Sequence, residues 1–545
     1  MAFATRLTTL VLSMFALFLF AGAAPGFVDD TFITLQYARN LVDFGAPLWH
    51  ATLPKVEGFT SLAHVLVIAA GHSLGFGLIA WNSAIIILSS LLILAMFAWA
   101  TRELSPWAAG AGLVVIASNA ALLHWIGAGL DAVPYCAVFF ASYLLFQRSM
   151  SAGRLHTSTA LILILLGMTR PEGMFISCAL LVAFWTTRLV RPLRTPAVAI
   201  ACTGAVLVAF AAVTIWRVSE FGHPLPNTYY AKSSESRLLE ARAGLEYLGK
   251  WIFFSSGPLL IFTFAALALG SRAYLRALFV VGQLGVVVLA GGDPHPAFRF
   301  FLPILPLLAM DLAWIVDRQK SLVSSLAILL LALFVTRQAD TTGGRPTFPN
   351  PLAGLGAILE GHWPFDSAED DRWTHRSATA AQEMGEILPG DVALAGSDVG
   401  ALAFYSGLPI LDTHGLNHPE ISHLPKRAGV PNNWGNYRLD YLMDREVAFV
   451  HLHFPGHRKW SFRDITSDRA SCDFDAGRIS IMAGPFLDQL SEEYLCLSIP
   501  SQDREGSWLN MFMRKDRLDL LEGLPVRTEA TSCIPQLRRI CEPPD

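Results

Sequence analysis

The sequence predicts a mainly α, polytopic membrane domain of about eleven transmembrane helices, followed by an exported α/β soluble domain. Three observations predict it. Hydrophobic residues make up 53% of the chain and charged residues only 15%, with a mean hydropathy of +0.45, whereas an ordinary soluble domain carries about 25% charged residues. Apolar stretches near spanning length recur as far as Arg337 and then stop. The rest of the 545-residue chain has globular composition, set off by the Pro- and Gly-rich "TTGGRPTFPNPLAGLG". The expected division is therefore 1–337 membrane domain, 338–360 linker and 361–545 soluble domain. A net charge of −4 offers no footprint for nucleic acid.

The first apolar segment, "LTTLVLSMFALFLFAGAA", follows Arg6. Its small residues "FAGAAPG" resemble a signal-peptide cleavage site. The many spans that follow favour an uncleaved anchor with a cytoplasmic amino end. Spans are expected near 7–26, 80–101, 107–125, 131–147, 159–169, 172–187, 197–219, 250–269, 276–291, 299–316 and 320–337. Cations cluster between them at Arg102, at Arg148 and Arg154, at Arg188, Arg191 and Arg194, at Arg272 and Arg276, and at Arg318 and Lys320. The positive-inside rule makes these clusters cytoplasmic. That arrangement requires "TSLAHVLVIAAGHSLG", 60–75, with His64 and His72, to lie on the outer surface or re-enter rather than cross. An odd number of spans then places the tail outside, with the protein in the cytoplasmic (inner) membrane and its C-terminal domain on the outer, periplasmic side.

Cysteine usage agrees. Cys136, Cys178 and Cys202 fall in spans, where a thiol behaves as a small apolar group. Cys472, Cys496, Cys533 and Cys541 fall in the tail, and an even number in an exported domain predicts two disulfides whose pairing stays open among three possibilities.

This topology brings the unusual polar residues to one side. Asp29, Asp30, Arg39 and Glu57 lie in the first outer loop; Asp131 of "GAGLDAVPY" opens the fourth span; Arg170 and Glu172 of "MTRPEGMF" cap a short hairpin. Asn227, Tyr229, Tyr230 and Lys232 of "HPLPNTYYAKS" belong to another outer loop, and Asp293, His295 and Arg299 of "GGDPHPAFRFFLP" to a third. Each has a plainer reading. "TRPEG" can be a Pro turn with an internal Arg–Glu pair, "GGDPHP" a tight loop, the tyrosines interfacial anchors, and the aspartates solvated loop charges. Taken together, carboxylates and fixed cations describe a pocket for an anionic headgroup beside a general base. Phosphate needs Arg or Lys donors, and a sugar hydroxyl that attacks an anomeric carbon needs a carboxylate to take its proton.

The ordered set "VDDTFITLQYARNL", "VEGFTSLAHVL", "TRPEG", "PNTYYAKS" and "GGDPHPAFRFFLP" resembles the cell-wall arabinofuranosyltransferases that add terminal arabinose, which belong to the GT-C glycosyltransferase superfamily. "SDVGALAFYSGLPILDTHGLNHPEI" in the tail resembles that family's soluble domain, so the resemblance runs from about residue 27 to 460. It implies a GT-C fold and a polyprenyl-phosphate sugar donor. It also implies transfer to a glycan, lipid or protein acceptor on the outer face, and catalysis by an acidic residue of the first outer loop, here Asp29 or Asp30. Asp131 stands where the family usually carries a longer Glu, and the last hundred residues lie outside the resemblance. Lys232, Arg299 and Arg170 are the expected phosphate ligands. The remaining polar residues named above, Arg39, Glu57, Asp131, Glu172, Asn227, Tyr230, Asp293 and His295, are expected to line the donor or acceptor site.

No Walker motif or Rossmann fingerprint is present, and no motif specifies a cofactor or a divalent cation. In the tail, "DVALAGSDVGALAFYSGLPILDTHGL" predicts strands that end in polar turns, with Asp398 and Asp412 at strand ends. "VAFVHLHFPGH" places His451 and His453 on one strand face with His457 beyond; a rim that meets sugar or the membrane domain fits them better than a metal site. Two rival functions exist. A transporter or flippase of lipid-linked sugar explains the spans, but not the large exported domain, nor charges at the rim with no internal repeat. A non-catalytic membrane scaffold leaves the outer-loop carboxylates without a purpose.

Overall fold

The structure is a computed structural model. It describes residues 26–190, 196–234, 236–270, 273–293, 295, 297–319 and 321–335, then 388–396, 399–425, 447–451, 493–500 and 508–521, with a few isolated residues besides. The chain divides into two compact units. The first takes Met1–Phe27, Thr60–Leu225 and Ser233–Ser367; the second takes Val28–Phe59, Pro226–Lys232 and Ala368–Asp545. Two segments expected to be loops of the membrane domain, 28–59 and 226–232, fall in the second unit with the tail. Their apolar side chains explain it. Phe32 packs on Phe404 and Tyr405 with ring centroids 5.4 and 5.3 Å away, and the Trp49 indole donates to the Ile410 carbonyl at 2.8 Å. Of the sequence expectations, the linker, most of the first apolar segment, Asp398, His453, His457 and Cys472, Cys533 and Cys541 lie outside the described residues, as do the side chains of His451 and Cys496.

A correction concerns Asp29 and Asp30. They were expected on an irregular loop and instead open a helix, α1 (Asp29–Asp43), in the second unit. Phe32, Ile33, Leu35, Gln36, Tyr37 and Asn40 are buried, so α1 is held by packing along much of its surface.

The first unit is helical. α2 (Leu62–Ser73) is capped by the Ser61 hydroxyl, which accepts from His64 N. Its 12 residues rise only ~18 Å, too short for a hydrocarbon core of ~30 Å. α3 (Leu78–Ala100) follows, then α4 (Pro106–Ala117) and α5 (Ala120–Ala128), bent by 48° where Asn119 caps α5 through Leu122 N. α6 (Ala132–Ala152) leads to the hairpin of α7 (Thr157–Thr169) and α8 (Pro171–Val190), and α9 (Pro196–Phe221) completes this run. α10 (Asn227–Lys232) belongs to the second unit. The first unit resumes with α11 (Arg237–Phe254), α12 (Leu260–Ala268), α13 (Tyr274–Leu289), a 3-10 turn (Arg299–Ile304) running into α14 (Leu305–Asp317), and α15 (Leu322–Val335).

Among the described residues three helices are long and apolar enough to cross a membrane: α3, α9 and Arg299–Asp317; counting each bent pair as one span makes five. The chain is a multi-pass membrane protein. The straight span expected at 250–269 is instead α11 and α12 meeting at 81° through the turn Gly257–Leu259. Pro258 has no N–H for a continuing helix, and a Cβ on Gly257 would meet the Ile252 backbone. Arg276, expected as a loop cation, is buried in α13, where it pairs with Asp311 of α14 at 2.6 Å while Thr263 of α12 donates to the same carboxylate at 2.8 Å. Cys136 and Cys202 are buried free thiols and Cys178 is half-buried.

The second unit is built on a five-stranded sheet in the order β2-β1-β3-β5-β4. β1 (Leu394–Gly396) runs parallel to β2 (Ile410–Asp412) and to β3 (Phe449–His451), whereas β5 (Trp508–Arg514) runs antiparallel to β3 and to β4 (Tyr494–Pro500). α16 (Gly400–Ser406) joins β1 to β2. The register sets Gly396, Asp412 and the backbone of His451 in one row at the carboxyl ends of the parallel strands.

Candidate functional site

In the second unit the polar residues take different jobs. Val399, at the N-cap of α16, has no side chain able to cap. Asp29 supplies that cap from α1: its two oxygens accept from Gly400 N and Ala401 N, both at 2.8 Å. A carboxylate suits a helix N-terminus, where the amide dipoles point their positive ends. A Cβ at Gly400 would run into the Asp29 backbone carbonyl, so this approach requires glycine. Arg39 donates to the Phe404 carbonyl at 3.0 Å and lies 4.7 Å from the Phe404 ring, at the other end of α16.

Asn227 ties segments of the second unit together. Its amide nitrogen donates to the carbonyls of Gly415 at 2.8 Å and Leu416 at 2.9 Å, its oxygen accepts from the Ser422 hydroxyl, and its backbone N–H donates to the Glu57 carbonyl. A primary amide that offers donors and an acceptor in one plane can tie three chain segments at once. Glu57 is itself buried at 1% exposure. Tyr230 packs its ring 4.7 Å from that of His423. Asp30 and Lys232 are half-buried, at the start of α1 and the end of α10.

The turn after β2 adds residues that sequence reasoning had left as a strand end. Asp412, fully buried, accepts from His414 N at 2.8 Å, Asn417 N at 2.9 Å and the Asn417 amide at 3.2 Å. Burial pushes its carboxyl up to about 6, these donors pull the other way, and the charge of Asp30 adds to the rise. Burial also lowers His418, to about 4, helped by the charge of Arg445.

The first unit holds a separate cluster. Arg170, at the apex of the α7–α8 hairpin, is paired through Nε with Glu172 at 2.6 Å and through Nη1 with Asp131 at 3.3 Å. The plainer reading of "TRPEG" is thus met within the molecule, and Asp131 joins it. Arg299 faces Asp293 with both Nε, at 2.6 Å, and Nη2, at 2.9 Å. The two guanidinium groups share one ring: Phe300 lies 4.7 Å from Arg170 and 5.3 Å from Arg299. Tyr135 flanks Arg170, and Trp125 flanks Arg299. Trp125 also holds the backbone that presents Arg299, donating to the Ala297 carbonyl at 3.1 Å, with the His295 ring edge-on at 6.1 Å.

That backbone is strained. Ala297 and Phe298 take φ of 60° and 46°, a left-handed conformation costly to residues with a Cβ, and such strain concentrates at functional sites. The aromatic shelf was missed in the sequence; its one visible signal was an Arg directly followed by two Phe. Among the described residues no group of three His, Cys, Asp or Glu side chains is placed to hold a metal ion.

Comparison with known proteins adds to this geometry. A family described as a domain of unknown function, DUF8728, matches residues 368–484. No curated protein matches the chain. Among solved structures, ArnT from Cupriavidus metallidurans bound to undecaprenyl phosphate is 15% identical with a TM-score of 0.50, covering 76% of this chain and 86% of its own. The same protein in its apo state gives 13% identity and a TM-score of 0.50 over 93% and 97%. The archaeal oligosaccharyltransferase AglB from Archaeoglobus fulgidus, in complex with an inhibitory peptide and a dolichol-phosphate, gives 12% and 0.47 over 93% and 74%. The likeness to ArnT shows the fold alone: this chain is folded like ArnT.

Proposed function

We propose that this protein is an integral-membrane glycosyltransferase that moves a sugar, arabinofuranose by its resemblance, from a polyprenyl-phosphate donor to a glycan, lipid or protein acceptor. The reading places the reaction on the outer face of the cytoplasmic membrane and the remaining expected spans, to about eleven, around it. The observation that carries it is the GT-C-like fold shared with ArnT, a protein whose structure holds undecaprenyl phosphate. The ordered outer-loop motifs support the same donor class.

In this reading Asp30 is the base. Its neighbour Asp29 caps α16, and the resemblance assigns an acidic residue of this segment to catalysis. An oxygen of Asp30 takes the acceptor's hydroxyl proton as the new bond to the anomeric carbon forms. The bond from that carbon to the phosphate oxygen breaks, and its electron pair leaves with the phosphate. Lys232, Arg299 and Arg170 are assigned to the phosphate, which carries the charge that develops. Arg299 and Arg170 already face carboxylates, so each would exchange or share a carboxylate partner when phosphate binds. Planar guanidinium groups fixed over an aromatic ring suit that exchange.

The test is transfer of labelled sugar from polyprenyl-phosphate arabinose, and from a second polyprenyl-phosphate sugar, in membranes that contain the full chain. Transfer that disappears with Asp30→Asn is the expected result. Wild-type membranes that move neither sugar to any acceptor fraction, while flipping the lipid-linked sugar across the bilayer, would replace this reading with the transporter.

A further inference from the structure

We propose that Gln283 is a positioning residue for the donor phosphate, a buried amide that sets both aromatic rings against which the Arg170 guanidinium lies. The inference rests on the polyprenyl-phosphate reading above and adds one residue to it.

Gln283 sits in α13, whose sequence YLRALFVVGQLGVVVL carries no other side-chain amide, and it has no exposed surface. A buried primary amide in an apolar helix is costly unless its polar ends are met. Here the two ends meet two different partners. Nε2 donates to the Phe300 carbonyl at 2.8 Å, and Oε1 accepts from the Tyr135 hydroxyl at 3.4 Å. The Phe300 carbonyl can only accept, so it fixes which end of the amide faces it.

The bond to Phe300 answers a local need. Phe300 lies in the 3-10 turn Arg299–Ile304, a geometry in which each carbonyl is met by the N–H three residues on. Three residues beyond Phe300 stands Pro303, which has no N–H. Gln283 supplies the donor from another helix. Two more helices hold the same stretch at its ends: the Trp125 indole of α5 donates to the Ala297 carbonyl at 3.1 Å, and the Cys136 thiol of α6 to that of Leu302 at 3.5 Å. Gln283 holds the middle, where the shared ring is.

Repair of one carbonyl does not account for the other end of the amide. That end goes to Tyr135, whose ring lies 5.6 Å from the Arg170 guanidinium, on which Phe300 also lies at 4.7 Å. The two bonds of one planar group thus end on the two rings that flank one guanidinium. Phe300 is also the ring that Arg299 approaches, at 5.3 Å. A phosphate gripped by two guanidinium forks needs both held in a fixed relation. Without the amide, Phe300 loses its tether and Tyr135 its partner, while both arginines keep their carboxylates. The phosphate contact exists before and during transfer, so its loss weakens donor binding rather than turnover at saturation.

The test uses the full chain in membranes and two readouts: the dissociation constant for polyprenyl phosphate, and KM and kcat for transfer from polyprenyl-phosphate arabinose. Gln283→Met keeps the length of the side chain and loses both bonds. Its dissociation constant and KM should rise about tenfold, the scale of one or two neutral hydrogen bonds. Its kcat should stay within about twofold of the wild type. Tyr135→Phe keeps the ring and loses one bond, so its dissociation constant should rise less, about threefold. The double variant should bind no more weakly than Gln283→Met, because both changes act through one amide.

A folded Gln283→Met protein with the wild-type dissociation constant would overturn the proposal. So would a fall in kcat with affinity unmoved, the mark of a residue that only holds the fold. If Gln283→Met does not fold, Tyr135→Phe decides, and unchanged affinity there overturns it. The two readings fail separately: a wild-type chain that binds no polyprenyl phosphate removes the donor assignment itself, whereas binding that ignores both Gln283 and Tyr135 removes only the positioning role.

Discussion

Asp29 and Asp30 are adjacent, and Asp29 caps a helix 371 residues away, which no local pattern shows. Asp29→Asn keeps the size of the cap but loses its charge. The expected result is a unit less stable by about 1 kcal/mol, seen as earlier thermal unfolding in detergent, with transfer reduced rather than abolished. In the proposed reading Asp30→Asn lowers the initial rate by about 10²–10⁴-fold. An initial rate at the wild-type level in Asp30→Asn would remove Asp30 as the base.

Asp412 and His418 give a second prediction, with opposite signs. His418 is neutral in the fold down to about 4, while its ordinary value is 6.5. Its contribution to stability is therefore whole above about 6.5 and is lost as pH falls toward about 4. Asp412 holds its proton in the fold up to about 6, against an ordinary 3.8. Its contribution is greatest below 3.8, declines as pH rises to about 6, and is level above that. The two slopes oppose across nearly the same window. Removing one should expose the other, at up to about 1.4 kcal/mol per pH unit. His418→Gln should make acid stabilising between those values, and Asp412→Asn should make it destabilising. Proteolysis within 399–425 as a function of pH and temperature reads both.

At the scale of elements, the apex of the α7–α8 hairpin is a buried charge cluster, with one guanidinium between Asp131 and Glu172. Arg170→Ala would leave both carboxylates without their cation, and breaking a buried pair in this way costs about 3–5 kcal/mol. Arg170→Lys should recover only part, because an ammonium lacks the fork that reaches two carboxylates over the Phe300 ring. The yield of monodisperse protein in detergent and its unfolding temperature measure both. The hairpin itself was legible in the sequence, because Pro171 follows an apolar run and Arg170 interrupts it. The break between α11 and α12 was not, although Pro258 was in plain view. A proline at the edge of an apolar run marks a helix start as readily as a break.

At the scale of the molecule, the second unit is assembled from three stretches of chain that the sequence separates widely. A chain truncated after Ser367 would leave the apolar faces of 28–59 without their sheet. Proteolysis in that stretch should therefore rise sharply, while cleavage within Thr60–Leu225 should not. Asn227→Ala should weaken the same assembly by about 1–3 kcal/mol, the cost of buried carbonyls left without a donor. Topology is tested independently: a phosphatase reporter fused after Asp340 should be active and one after Arg154 silent, the pattern expected for an outer-face tail.

Composition and pattern alone determined that this chain lives in a membrane, roughly where its helices lie, and which few polar residues merit attention. Those are one-dimensional properties: the length of an apolar run, the scarcity of charge, the order of short motifs. Tertiary structure decided what several of these polar residues touch. Asp29 finds its partner 371 residues away, Arg39 at 365 and Asn227 at 188. No local pattern encodes a bond across such a distance, so a carboxylate that caps a remote helix reads in sequence just like one that awaits a proton. The same holds for the ring that two arginines share. Aromatic side chains are plentiful in a membrane protein, and only packing shows which of them a cation lies against.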